Sequence, residues 1–383
     1  MRTPVDARKA TVVGVGDWLS QIVVVIKQAI PPSLRRALVA LIAAALLGAA
    51  GWVTFALVLP QYTPTYKTQF LVDTAGEPAA VRDSLRKVMG NAGDRDALAL
   101  RTFGGECGAE GNTTQLVDFD TGNRTEIAAA AATLRETGEP TLVRGVVEAV
   151  ADFDTPFSRD AKQVNRIIVI TRHGTDACDD DASYAAREIA TRIAAADLAV
   201  EFRLIGYQVP PDQRDRLTTI ATGMDAPAPA FAETPEELDS TVEWVTNTEP
   251  VLRDAQSVVD TLNGTVDKVN TAVRATVDGR LDAAEENLSA AGDAVTDDPF
   301  EDLEARRKTT SSQEVHDRAA GLRDLQGRLV DAAERLLSAA QSGEPLTERL
   351  AEFKQVADKY NTEVHSMNQT LATLRAEGPG GRS

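Results

Sequence analysis

Residues 37–59 form an uninterrupted apolar segment without a single charged side chain. A helix of this length, at about 1.5 Å per residue, crosses the roughly 30 Å hydrocarbon core of a bilayer. Arg35 and Arg36 precede the segment directly, and Pro60 follows it. The pattern therefore predicts a transmembrane helix. The alternative is a helix buried in the core of a globular domain.

Charge is distributed unevenly on the two sides of this segment. Residues 1–36 carry six basic and two acidic side chains, whereas the whole chain has a net charge of −18. Because basic flanks stay in the cytoplasm, we expect a single-pass protein of the cell membrane with a cytoplasmic N-terminus and an extracytoplasmic C-terminal part. Segment 1–36 is either an interfacial helix or an ordinary juxtamembrane segment. The acidic remainder argues against nucleic acid as a partner, since phosphates attract basic side chains.

Residues 66–248 alternate short apolar strands with helical patterns. The predicted strands cover residues 68–73, 97–103, 113–119, 165–171, 200–206 and 229–231. The predicted helices cover residues 78–89, 126–136, 142–150, 182–194, 214–222 and 236–245. This alternation predicts an α/β fold with a doubly wound, mostly parallel sheet covered by helices on both faces.

Four stretches of this region carry a resemblance to a known family. They are Phe-Leu-Val-Asp at 70–73, Arg-Thr-Phe-Gly-Gly-Glu-Cys-Gly at 101–108, Ile-Val-Ile-Thr at 168–171 with Gly-Thr-Asp-Ala-Cys at 174–178, and Ala-Thr-Gly at 221–223 with Thr-Pro-Glu-Glu-Leu at 234–238. In this order they resemble a von Willebrand factor type A domain of the bacterial membrane-anchored type. The resemblance implies a Rossmann-like fold and a role in recognition.

The resemblance also implies a divalent-cation site, built from Asp-x-Ser-x-Ser and from a Thr and an Asp of later loops. Asp73 keeps the first position, but Ala75 and Glu77 replace the two serines. Arg172 or His173 stands where the later Asp is expected. We expect this degenerate site to hold no cofactor, with Asp73 capping the following helix or pairing with Arg172.

A modified site for Mg²⁺ or Ca²⁺ is the alternative, since carboxylate and hydroxyl oxygens suit these cations. Its candidate ligands would be Asp73, Glu77, Thr141 and Asp176. Further carboxylates of the same loop, Asp179, Asp180 and Asp181, are available to such a site, or they form a solvated acidic loop.

Cys107 and Cys178 are the only cysteines of the chain. Both are predicted in loops at the same edge of the sheet, and matching cysteines occur in the bacterial proteins that the domain resembles. We expect a disulfide between them if the domain is extracytoplasmic. Two free thiols or a metal-binding pair are the alternatives.

The sequence offers no catalytic constellation. Its histidines, His173, His316 and His365, are far apart in the chain and suggest no Ser-His-Asp or Cys-His arrangement. No phosphate-binding glycine loop follows a strand. We therefore expect a protein that is not an enzyme.

Residues 250–375 have apolar side chains at steps of three and four, which is typical of a coiled coil. Breaks at 296–312 and 342–345 divide the region into three predicted helices. We expect an α-helical antiparallel coiled-coil bundle in which a first helix of about 46 residues, near 70 Å long, pairs with the two later helices laid end to end. A homo-oligomer formed through the same seam is the alternative. Residues 376–383 are predicted to be a disordered tail.

These features together predict a membrane-anchored extracytoplasmic binding or scaffolding protein. Its partner would be a protein or another component of the cell envelope, which the sequence does not identify. One alternative is a metal-dependent adhesion protein with a cation at Asp73. Another is a hydrolase, for which no residue gives support.

Overall fold

A six-stranded sheet forms the centre of the first part of the described chain. The computed structural model describes residues 66–153, 163–179, 181–196, 198–293 and 298–379. The predicted cytoplasmic segment 1–36 and the predicted membrane span 37–59 lie outside these residues. Within the described ranges, no helix is both long and apolar enough to cross a bilayer.

The strands of the sheet lie within two residues of their predicted bounds at each end. They are β1 (Tyr66–Asp73), β2 (Ala97–Phe103), β3 (Thr113–Asp120), β4 (Val164–Thr171), β5 (Val200–Tyr207) and β6 (Ala230–Ala232). Their order in the sheet is β3-β2-β1-β4-β5-β6, and all neighbours run parallel except the antiparallel pair β2–β3. The prediction of an α/β fold with a mostly parallel sheet is confirmed.

Strand β1 lies between β2 and β4 and is buried on both faces. Because successive side chains of a strand point in opposite directions, Phe70 and Val72 pack on one face and Leu71 on the other. All three are fully buried, and each contributes about 1.5–3 kcal/mol by leaving water. This strand fixes the position of Asp73 at its carboxyl end.

Six helices cover the two faces of the sheet. They are α1 (Ala79–Val88), α2 (Arg124–Ala132), α3 (Leu142–Ala151), α4 (Ala182–Ala196), α5 (Pro211–Gly223) and α6 (Pro235–Glu243). Helices α1, α2 and α6 pack against the face of Phe70, and α3, α4 and α5 pack against the face of Leu71. Helix α2 ends four residues before its predicted end at Glu136, because Thr133 and Leu134 leave it in a turn bonded to Ala130 and Ala131.

The sheet domain passes into the helical region without a linker. Thr234 caps the start of α6 by accepting a hydrogen bond from the backbone nitrogen of Glu237. A π-helical turn, Trp244–Thr248, follows α6 and continues directly into α7 (Glu249–Val277). The sheet and the helical region belong to one compact unit.

The predicted first helix of about 46 residues is wrong. Helix α7 ends at Val277, and Gly279 adopts the left-handed φ of +76°. Helix α8 (Leu281–Asp293) then folds back along α7, so that Lys268 Nζ donates to the carbonyl oxygen of Ala290 at 3.1 Å. The predicted break at 296–312 is also not a simple linker, because it contains α9 (Asp298–Ala305).

The last two helices, α10 (Thr310–Gln341) and α11 (Thr347–Ala376), form a hairpin and are not laid end to end. Gly343 turns the chain with a φ of +70°, and Arg335 Nη2 then donates to Glu352 Oε1 at 2.7 Å. Tyr360 of α11 donates to Asn263 Oδ1 of α7 at 3.1 Å. Helix α11 thus packs antiparallel to both α10 and α7 within one chain, so that α7 and α10 run in the same direction.

Arg306, which follows α9, joins the bundle to the sheet. Its Nη1 and Nη2 donate to the two carboxylate oxygens of Asp96 at 2.8 and 2.7 Å, and its Nε donates to Asp254 Oδ2 at 2.6 Å. The guanidinium carbon lies 4.3 Å from the centroid of the Tyr66 ring. Tyr66 begins β1 and Asp96 precedes β2, so the bundle is attached at the edge of the sheet opposite to Asp73.

Candidate functional site

The topology of the sheet marks its carboxyl edge as the place for a binding site. Strands β1 and β4 are neighbours, but the chain leaves β1 toward β2 and leaves β4 toward β5, on opposite sides. Ligands of open α/β sheets bind where the strand order reverses in this way, outside the carboxyl ends of the strands. Asp73 ends β1 and Thr171 ends β4, so these two residues lie at the reversal.

The carboxylate of Asp73 is held by four donors. Its Oδ1 accepts a hydrogen bond from the backbone nitrogen of Ala75 at 2.8 Å. Its Oδ2 accepts from Thr171 Oγ1 at 2.8 Å, from the backbone nitrogen of Arg172 at 3.2 Å and from His173 Nδ1 at 2.8 Å. Since a carboxylate can only accept, the hydrogen of the imidazole resides on Nδ1. The side chain of Asp73 is 1% exposed.

Two expectations about Asp73 are wrong. The first turn of α1 has no side-chain cap, and Pro78 occupies the N-cap position. The guanidinium of Arg172 also does not pair with Asp73. It donates instead through Nη1 to the carbonyl oxygen of Glu77 at 3.0 Å and through Nη2 to Gln208 Oε1 at 2.7 Å. Asp73 thus pairs with His173 and with the backbone of Arg172.

Sequence reasoning placed His173 only at the position of the missing Asp, without its contact to Asp73, and it did not name Gln208 as a member of the site. His173 stands two residues beyond the end of β4, and the parallel register of β1 with β4 places it beside Asp73. Gln208 is one of two non-glycine residues with a positive φ, +54°, in the described chain. The available signal was the polar residues immediately after two buried strands, but only the register shows which strands are adjacent.

The other predicted ligands do not converge on Asp73. Glu77 is exposed, and its Oε1 accepts from the backbone nitrogen of Ala79 at 3.2 Å. Thr141 is fully buried and donates to the carbonyl oxygen of Asn112 at 3.0 Å. These hydrogen bonds give each of the two residues a local structural role.

Asp176 supports the start of α3. Its Oδ2 accepts from the backbone nitrogen of Val143 at 2.7 Å, and its Oδ1 accepts from that of Cys178 at 2.8 Å. Burial raises the pKa of Asp176, against the opposing effect of these backbone hydrogen bonds. A carboxylate at the amino end of a helix is also stabilised by the helix dipole.

The remaining acidic residues of this loop have local partners as well. Asp179 Oδ1 accepts from the backbone nitrogen of Asp181 at 2.9 Å, and Asp181 Oδ1 accepts from those of Ser183 and Tyr184 at 2.9 and 3.2 Å. Asp181 therefore caps α4. Asp180 lies outside the described residues.

The residues at this edge do not fit a divalent cation. The two oxygens of Asp73 already accept four hydrogen bonds, one of them from His173. Two serine positions of the expected motif are Ala75 and Glu77, and the guanidinium of Arg172 covers the same loop. In the part of the chain that the structure describes, no group of three His, Cys, Asp or Glu side chains is arranged to hold a metal ion.

The contact of Asp73 with His173 resembles the carboxylate–imidazole half of a catalytic triad. A nucleophilic hydroxyl or thiol would have to reach the other ring nitrogen, Nε2. Among the described residues, no hydrogen bond joins His173 Nε2 to a serine, threonine or cysteine. The contact with Asp73 orients the imidazole.

A disulfide joins two loops of this edge, as predicted. Cys107, in the β2–β3 loop, is bonded to Cys178, in the β4–α4 loop, with their Cα atoms 5.3 Å apart. A third loop, between α2 and α3, is attached by two backbone hydrogen bonds between Gly105 and Glu139, at 2.8 and 3.1 Å. These three loops carry the acidic side chains Glu106, Glu110, Glu136, Glu139, Asp179 and Asp181.

Comparison with known proteins gave matches among solved structures only. No protein-family profile and no curated protein sequence matches the chain. A von Willebrand factor type A protein from Catenulispora acidiphila is 17% identical, with a TM-score of 0.34 over 48% of this chain and 42% of that one.

Two pilus proteins also match. The PilB minor pilin from Streptococcus sanguinis is 12% identical, with a TM-score of 0.36 over 48% of this chain and 61% of that one. The von Willebrand factor domain of a type V pili tip protein from Porphyromonas gingivalis is 11% identical, with a TM-score of 0.36 over 48% of this chain and 94% of that one. The chain thus spans less than two thirds of the Catenulispora protein and of the pilin.

Proposed function

We propose that the protein is a membrane-anchored, extracytoplasmic binding or scaffolding protein. It recognises a protein or envelope partner through the carboxyl edge of its sheet and catalyses no reaction. The observation that carries this proposal is that the bundle covers one edge of the sheet, at the amino ends of the parallel strands, and leaves the edge at their carboxyl ends to the loops. The bundle occupies the edge of Tyr66 and Asp96, and the loops around Asp73 remain at the topological switch point.

The loops at the carboxyl edge of the sheet are held in a fixed arrangement by covalent and hydrogen bonds. The Cys107–Cys178 disulfide, the Gly105–Glu139 backbone pair and the hydrogen bonds of Asp73 fix three loops relative to the strand ends. A pre-ordered surface loses little conformational entropy on binding, which favours recognition. A disulfide is also typical of an oxidising compartment, in agreement with an extracytoplasmic location.

Photo-crosslinking from defined positions tests this proposal. A photoreactive amino acid at Ala109 or Ser183, both exposed at the carboxyl edge, is expected to give a discrete crosslinked adduct in native membranes. The same amino acid at Glu334, exposed on α10, is the matched control. Adducts from Glu334 alone would contradict the placement of the binding surface.

The proposed topology has its own test. Reporter fusions at the N-terminus and after Gln61 are expected to lie on opposite sides of the membrane. Two fusions on the same side would contradict a single membrane span between them.

A further inference from the structure

Arg172 is a cation at the carboxyl edge whose hydrogen-bond partners among the described residues are uncharged. Its guanidinium donates to the carbonyl oxygen of Glu77 and to the amide oxygen of Gln208. Three other guanidinium groups bind carboxylates directly: Arg101 binds Asp152, Arg203 binds Glu249, and Arg306 binds Asp96 and Asp254. Arg124, like Arg172, donates to neutral oxygens, in its case the backbone carbonyl oxygens of Thr121, Gly93 and Asp96. An arginine held among neutral groups keeps its full charge available to a ligand.

The position of this guanidinium is fixed on several sides. Its Cζ lies 5.4 Å from the centroid of the Tyr207 ring, a cation–π contact with a buried aromatic side chain. A Cβ added to Gly76 would lie 3.3 Å from Arg172 Cδ, so the loop after β1 approaches the aliphatic part closely.

Gln208 reaches Arg172 from an unfavourable backbone conformation. Its φ of +54° is one that non-glycine residues adopt rarely. The conformation is held by the hydrogen bond from its backbone nitrogen to Ala232, 2.8 Å, and by that from Nε2 to the carbonyl oxygen of Glu233, 3.2 Å. Strain of this kind persists where the surroundings over-determine it, often at binding sites.

The guanidinium has donors left for a ligand. Two of the five N–H groups of an arginine are used by Glu77 and Gln208, and three remain. A planar guanidinium matches a carboxylate through two parallel hydrogen bonds, and these charge-assisted bonds are stronger than neutral ones. The geometry therefore suits a carboxylate better than a neutral amide.

We propose that Arg172 binds the carboxylate of an acidic side chain on the protein partner, and that it does so without a metal ion. This inference rests on the proposed function, because it names the chemistry recognised at the same edge. The acidic side chains on the neighbouring loops, such as Glu106 and Glu139, repel a strongly acidic segment. The recognised carboxylate therefore stands alone among neutral or basic residues of the partner.

Chemical protection of Arg172 in the full-length chain tests the assignment. Phenylglyoxal modifies arginine, and mass spectrometry of proteolytic peptides gives the rate at each site. In the presence of EDTA, the blocked tripeptide acetyl-Gly-Glu-Gly-amide is expected to slow modification of Arg172 about tenfold, with half-protection on the order of a few millimolar. The isosteric peptide with glutamine is expected to give no protection, and Arg187, exposed on α4, serves as the internal control.

Several outcomes would overturn the assignment. Equal protection by the glutamate and glutamine peptides would exclude recognition of a carboxylate. Protection that requires added Mg²⁺ would assign the site to a metal ion, and half-protection by inorganic phosphate at a lower concentration would assign it to phosphate. Protection of Arg187 to the same degree would show a non-specific effect.

Fluorescence anisotropy with a fluorescein-labelled glutamate peptide decides the question if Arg172 does not react with phenylglyoxal. Arg172→Gln is expected to abolish binding, and Arg172→Lys to weaken it because the planar fork is lost. Gln208→Ala, which leaves the guanidinium but removes its amide partner, is expected to raise the dissociation constant severalfold. Unchanged binding by Arg172→Gln would refute the proposal.

The photo-crosslinks from Ala109 and Ser183 separate this inference from the proposed function. If the adducts form and Arg172→Gln leaves them unchanged, the edge binds a partner by other groups and the inference is wrong. If no adduct forms from either position while the peptide still binds through Arg172, the carboxylate site stands and the proposed function fails.

Discussion

At the scale of single residues, Asp73 holds the carboxyl ends of β1 and β4 together. Its four donors come from the loop after β1 and from the end of β4. Asp73→Ala would remove the acceptor of His173 Nδ1 and one of the two acceptors of the buried Thr171 hydroxyl, the other being the carbonyl oxygen of His173. We expect it to lower the free energy of unfolding by about 3 kcal/mol, measured by urea unfolding of the full chain in detergent.

Asp73→Asn is the matched variant, because it keeps one acceptor oxygen, and we expect it to lower the free energy of unfolding less than Asp73→Ala does.

The melting temperature in the presence of divalent cations distinguishes this structural role of Asp73 from a role as a metal ligand. Millimolar Mg²⁺, Mn²⁺ or Ca²⁺ is expected to leave the melting temperature of the wild type unchanged. A rise in the wild type that Asp73→Ala abolishes would identify a bound cation.

Asp254 is a second residue whose ionisation is tied to the fold. Burial raises its pKa to about 6, against the lowering effect of Arg306. Arg306 serves two carboxylates, and it gives Asp96 two hydrogen bonds and Asp254 only one. Asp254 also accepts a hydrogen bond from the hydroxyl of Tyr66 at 3.3 Å.

The sign of the pH effect follows from this raised pKa. Between about pH 4 and pH 6 the folded protein binds more protons at Asp254 than the unfolded chain does. The contribution of Asp254 to the free energy of unfolding is therefore fully present below pH 4, and it is lost as the pH rises through 6. The change amounts to about 3 kcal/mol. We expect Asp254→Asn to remove this fall from unfolding curves measured across that interval. Asp324→Asn, in an exposed pair with Arg328, should leave it in place, and an identical pH profile for Asp254→Asn would contradict the assignment.

At the scale of secondary structure elements, the two glycine turns determine how the bundle folds back. Gly279 has a φ of +76°, and a Cβ added there would meet no atom within 4 Å. Gly279→Ala is therefore expected to destabilise the protein by about 1–2 kcal/mol through backbone strain alone. Gly264, inside α7 and equally unobstructed, is the matched control.

Gly264→Ala is expected to stabilise the protein by about 1 kcal/mol, because alanine favours the helix interior. Urea unfolding of both variants gives the comparison. Equal effects of the same sign at the two positions would show that α7 and α8 do not depend on the left-handed turn at Gly279.

The strands of the sheet could be predicted because each is a short apolar run bounded by polar or turn residues, as with Phe70 to Val72. The turn at Gly279 could not, because the spacing of apolar residues from Val273 through Val277 to Leu281 continues across it. A glycine inside such a pattern lowers helix stability without revealing whether the chain reverses there. The reversal depends on packing between α7 and α8, which local sequence does not encode.

In the candidate site, too, single residues could be placed from the sequence, but the contacts between distant residues could not. Asp73 could be placed at the end of a strand from sequence, and the disulfide of Cys107 with Cys178 could be predicted. The contact of Asp73 with His173 and that of Arg172 with Gln208 join residues of separate strands. These contacts follow from the strand order, which the alternation of strands and helices leaves open.

At the scale of the whole molecule, the sheet and the bundle are coupled through one buried cluster. Arg306 comes from the segment between α9 and α10, Asp254 from α7, and Asp96 and Tyr66 from the sheet domain. The continuous helical path through Trp244–Thr248 into α7 adds a covalent link without a flexible joint. Both connections imply that sheet and bundle open as one cooperative unit.

Arg306→Met tests this coupling. The variant keeps the length of the side chain but leaves Asp96 and Asp254 buried without their cation, which we expect to cost about 3–5 kcal/mol. In hydrogen exchange, the slowest amides of β1 and of α10 are expected to exchange together in the wild type. In the variant, those of α10 are expected to exchange sooner than those of β1, because the bundle opens first. Arg328→Met, which breaks only the exposed pair with Asp324, is the matched control. Separate exchange of β1 and α10 in the wild type would show that the cluster around Arg306 does not couple the sheet to the bundle.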